Sequence, residues 1–62
     1  MTMKPKELIN LLLKKGWIIK RIQGSHYILE NPITNQKEVI PNHNKDLKTG
    51  LLNSILKRTG LK

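Results

Sequence analysis

The 62-residue chain contains no cysteine and no phenylalanine, and its only aromatic rings are Trp17 and Tyr27. Without cysteine there are no disulfides, no thiolate zinc sites and no thiol nucleophile, and nothing points to an oxidising compartment. Acidic residues are scarce as well, since Glu7, Glu30, Glu38 and Asp46 stand in four separate stretches. A hydrolytic zinc or two-metal centre needs three or more His or carboxylate ligands held together, so no metal and no cofactor are expected. Runs such as Leu11-Leu12-Leu13 and Tyr27-Ile28-Leu29 fall far short of the roughly 20 apolar residues of a membrane span. The basic start, Met1 to Lys6, is followed by neither a secretory apolar stretch nor a small-residue cleavage site. A cytoplasmic protein with no signal peptide is therefore expected. Gly24-Ser25 lacks the flanks of a phosphate loop or a serine elbow.

What the chain does have is positive charge. Twelve Lys and Arg against four acids give a formal charge of +8. That density attracts polyanions at range and repels other copies, so the natural partners are nucleic acid, an acidic protein, or both, and the free protein should be monomeric. The length allows one module, residues 1–62. A core of this size gives about 3–5 kcal/mol of stability.

Apolar residues at 8, 9, 11, 12 and 13 predict an amphipathic helix over residues 4–15, with Pro5 at its first turn and Lys14-Lys15-Gly16 at its end. From Trp17 the pattern changes to β-branched residues. Residues 17–22, 26–30 and 36–40 read as strands, separated by turns at Gln23-Gly24 and Asn31 to Asn35 and ended by Pro41. A second helix opens at Thr49 or Gly50 and runs to Thr59, with 51, 52, 55 and 56 on its apolar face. The order predicts an α+β, α-β-β-β-α fold: a three-stranded antiparallel sheet with both helices on one face. Alternation then turns Tyr27 and Leu29 inward and leaves His26, Ile28 and Glu30 on the open face. Trp17 and Tyr27 are expected in the core, not as stacking platforms for bases.

His26 and His43 are the chain's only imidazoles, the side chains suited to proton transfer near neutral pH. RNA carries its own nucleophile, the 2′-hydroxyl. Its cleavage needs a group to take that proton, help for the leaving 5′-oxygen, and cations around the charged intermediate. His26 on a cationic sheet face is a candidate for proton transfer, with Lys20, Arg21 and Lys37 as candidate phosphate-binding cations. On spacing alone the same ring also reads as an ordinary surface histidine. His43 reads as a loop-fixing residue or a second site group, and Ser25 as a phosphate donor or a turn residue. Lys45 and Lys48 stand where they can meet phosphates near the second helix.

Several segments together carry a resemblance: Lys4 to Ile9, Gly16-Trp17, Arg21, Gly24-Ser25-His26-Tyr27, Ile40-Pro41-Asn42-His43, Asp46-Leu47, Gly50 and Ser54 to Lys57. They resemble the HicA toxins of toxin–antitoxin systems. The resemblance implies a fold like the double-stranded-RNA-binding domain and an mRNA interferase activity independent of the ribosome. It also implies a HicB-type antitoxin that covers the active site. The family's Gly-Ser-His histidine carries over to His26, its Pro-x-His position to His43, and a frequent second histidine is here Tyr27. The alternative is a non-catalytic module that binds duplex RNA by shape, through the first helix and the lysines at the second, Lys45 and Lys48.

Overall fold

Helix formation begins at a proline whose missing N–H costs nothing in the first turn. In the computed structural model, which describes residues 3–61, helix α1 spans Pro5–Lys14. The Glu7 carboxylate accepts the Lys4 N–H at 3.4 Å, placing an acid at the positive end of the helix. At the other end Gly16 takes φ +98°, a left-handed conformation that suits glycine. This lets the Gly16 N–H reach the Leu13 carbonyl and the Trp17 N–H reach that of Leu12, a Schellman closure. The closure turns Trp17 back into the core, so that Trp17 precedes the first strand instead of opening it. Helix α2, Thr49–Arg58, ends the same way, with Leu61 N–H donating to Leu56.

Three antiparallel strands lie between the helices in the order β1 (Ile18–Gln23), β2 (His26–Glu30), β3 (Lys37–Pro41). The last strand therefore runs through Pro41 and does not stop before it, at the cost of no ladder bond in the sheet interior because β3 is an edge strand. The β2–β3 turn is held by Asn31, whose Oδ1 accepts the Ile33 and Thr34 N–H groups at 2.9 and 3.4 Å. β1 pairs Ile19 with Leu29 and then Arg21 with Ile28, leaving Lys20 as the extra residue of a bulge.

One cluster makes the core. Leu8, Ile9 and Leu12 of α1 and Leu52 and Ile55 of α2 join Trp17, Leu47 and the inward residues Leu29 and Ile40, with Tyr27 packed against them. This is the expected α+β arrangement with the open face on the far side of the sheet. Two expected core positions differ. Leu13 and Leu51 are exposed, because at 3.6 residues per turn each lies about a quarter turn from the centre of its helix's buried stripe. Ile19 and Ile22 face the helices from the edge strand yet are only partly covered.

Glu38 also points inward and is 6 % exposed. Arg58 grips it through Nε and Nη2, both at 3.1 Å, and Gln36 Nε2 bridges the Glu38 carboxylate and the Arg58 carbonyl. The Glu38 hydrogen bond, and then its charge, raise the Arg58 guanidinium above its ordinary value. This clamp ties the end of α2 to the start of β3.

Candidate functional site

The open sheet face carries the candidate groups. A two-residue reversal at Gly24-Ser25 returns β1 to β2, with Gly24 at φ +58° in the left-handed region. His26 follows immediately, exposed and opposite Gln23 on one side and Pro41 on the other. Two residues further, about 7 Å along the strand, Ile28 lies between Arg21 and Val39. Lys37 pairs with Glu30 at the far end of β2.

Strict alternation would send Lys20 and Arg21 to opposite faces. The bulge changes this, because it consumes Lys20 without advancing the ladder, so both cations reach the outer side while Ile19 and Ile22 stay inward. Lys20 meets Glu30 of that face at 3.3 Å. Lys20, Arg21, Ile28 and Lys37 then line a cavity of about 300 Å³. Three of the cations expected from the sequence are thus brought together. Arg21 and Lys37 make no ion pair among the described residues, whereas Lys20 is partly offset by Glu30.

Ser25 is exposed in the turn, and its carbonyl accepts the Asn42 N–H at 2.6 Å. That bond ties the His26 end of the sheet to the loop after β3. A second recess, about 410 Å³, opens there between Lys4 and Lys6 at the start of α1 and Asn42, His43 and Asn44 of the loop. The Leu47 N–H donates to the Met3 carbonyl at 3.0 Å and holds the two walls together. His43 is therefore a recess-lining group. Sequence reasoning assigned no site role to Lys4, Lys6, Asn42 or Asn44, because nothing in the pattern joins the start of α1 to the loop after β3.

Lys45 and Lys48 are exposed on the connection to α2, Lys48 as its N-cap, and they line neither of these two cavities. Trp17 is buried and Tyr27 half-buried in the core cluster, so the central outer surface offers aliphatic contacts from Ile28 and Val39. Among the described residues, no group of three or more His, Cys, Asp or Glu side chains lies together, and no helix is long and apolar enough to cross a membrane.

Neither a curated protein nor a solved structure matches this chain. The family model described as the HicA toxin of bacterial toxin-antitoxin matches residues 5–61, nearly all of it, and takes in every strand, both helices and the His26 turn. The chain belongs to the HicA toxin family.

Proposed function

We propose that this toxin is a cytoplasmic RNA endonuclease, an mRNA interferase that works independently of the ribosome, in which His26 transfers the proton of phosphodiester cleavage. The observation that carries the reading is the exposed His26 at one end of an outer sheet face that bears Arg21 beside Ile28 and Lys20 and Lys37 toward its other end. In the reaction the 2′-oxygen attacks phosphorus as its proton passes to the imidazole, the P–O5′ bond breaks, and the leaving 5′-oxygen takes a proton from water. This gives a cyclic phosphate and a free 5′-hydroxyl. The cations hold the neighbouring phosphates and offset charge gathering on the equatorial oxygens. In this reading Ser25, exposed at the turn beside His26, donates to the same phosphate.

Inhibition follows from the same field. A HicB-type antitoxin that covers this face presents acidic groups to a chain of +8.

The test is cleavage of a single-stranded oligoribonucleotide by His26→Ala, checked for folding by circular dichroism. General acid–base groups contribute about 10²–10⁴-fold, so the variant is expected to lose at least about a hundredfold in rate. Undiminished cleavage would sink the proposal. A duplex-binding module without catalysis would instead bind RNA and leave it intact in both proteins, with substitutions on α1 and at Lys45 and Lys48 weakening duplex binding.

A further inference from the structure

We infer that the recess between α1 and the loop after β3 is a second phosphate-binding subsite, which holds the RNA backbone next to the linkage that is cut. The inference rests on the endonuclease reading above and extends it to residues outside the sheet. Its basis is the juxtaposition of Lys4 and Lys6 with Asn42, His43 and Asn44 around one concave space.

Three features suit that space to a nucleotide phosphate. The first is charge: its lining holds two ammonium groups and no carboxylate, and neither lysine forms an ion pair among the described residues. The nearest acid in sequence, Glu7, is turned to the Lys4 backbone N–H. The second is shape. A volume of about 410 Å³ lies in the range of small-ligand sites, and the two carboxamides supply both donors and acceptors for ribose and base edges. The third is continuity, since the Asn42 N–H to Ser25 carbonyl bond joins the recess wall to the residue before His26. A polyanion with regularly spaced charges, held on the sheet by Arg21 and Lys37, passes His26 and enters the recess. An acidic protein side chain would engage one ammonium and leave most of the space unfilled.

The experiment measures binding of fluorescent single-stranded RNA to proteins carrying His26→Ala, which keeps the ligand intact. Lys4→Gln/Lys6→Gln is compared with Lys14→Gln/Lys15→Gln, which removes the same charge from the opposite end of α1. Losing one phosphate contact reduces the log–log salt slope by about 0.7 and weakens binding about fivefold near 0.1 M salt. That loss is expected for the recess pair beyond whatever the control pair shows, and Lys4→Arg/Lys6→Arg should restore it. It should also vanish on oligonucleotides too short to extend past the sheet. Equal behaviour of the recess and control pairs, alongside cleavage by the parent protein, overturns the subsite and leaves the endonuclease reading standing. Failure of the parent to bind or cleave RNA overturns that reading and the subsite with it. Lysine-dependent binding of polyglutamate without an effect on RNA assigns the recess to an acidic protein and overturns the subsite.

Discussion

Replacing Glu30 by glutamine should tighten RNA binding, an outcome opposite to the usual effect of altering a site. Glu30 is the one acid among the described residues of the outer sheet face; Glu38, on the neighbouring strand, points inward to Arg58. Its carboxylate sits 3.3 Å from Lys20 Nζ and opposite Lys37 in the ladder, so it offsets one cation and repels phosphate from another. Glutamine keeps the shape and removes the charge. The Lys20 side chain is 57 % exposed and the Glu30 side chain 13 %, so the pair is screened from one side only and its loss costs about 1 kcal/mol, which circular dichroism of the variant checks. The gain is set by counterion release. If Lys20 is freed to contact one more phosphate, the salt slope steepens by about 0.7, which corresponds to about fivefold tighter binding at 0.1 M salt and about twofold at 0.3 M. Fluorescence anisotropy with a labelled single-stranded RNA, measured in a His26→Ala background across that range, reads both quantities. An unchanged slope with equal or weaker affinity would refute the claim that RNA runs over the bulge.

Leu29→Ala removes a fully buried side chain at the centre of the sheet, a change that costs about 2–5 kcal/mol. A domain holding only about 3–5 kcal/mol should then lose its cooperative thermal transition, monitored by circular dichroism. Arg58→Met should lower the urea midpoint by leaving the Glu38 carboxylate buried without its partner, and Glu38→Gln added to it should recover part of the loss. Because the Arg58 value is raised on folding, its contribution is present below the unfolded value and fades only as pH climbs through the folded one. No clamp-dependent loss is therefore expected between about pH 6 and 10.

Much of the fold was legible because local signals agreed with tertiary demands. Leu8, Ile9 and Leu12 mark one helix stripe, Pro5 and Gly16 bracket it, and Tyr27 and Leu29 alternate with His26 and Ile28 as the open face requires. The same reasoning placed His26 outward and Lys20, Arg21 and Lys37 as candidates for one surface, and the cavity on the outer face unites those three cations. The bulge was less visible, although Ile19 and Ile22 spaced three apart in a strand are its trace: both can face inward only if one intervening residue drops out of the ladder. The recess was not legible at all. Lys4 and Lys6 meet His43 through a contact between segments far apart in the chain, closed by Met3 and Leu47, and periodicity carries no information about such a closure. Lys45 and Lys48 illustrate the converse, since charge near a helix start does not by itself place a side chain in a concavity.

The irregularity in β1 has a bearing on how the protein behaves in a concentrated solution. β1 is an outermost strand that leaves Ile18, Ile19 and Ile22 substantially uncovered, the kind of border that invites copies to stack edge to edge into insoluble sheets. An interrupted ladder offers an incoming strand no continuous row of donors and acceptors, and adjacent Lys20 and Arg21 set like charges against each other across any such junction. The side chains proposed to hold RNA therefore also set like charges between unliganded molecules.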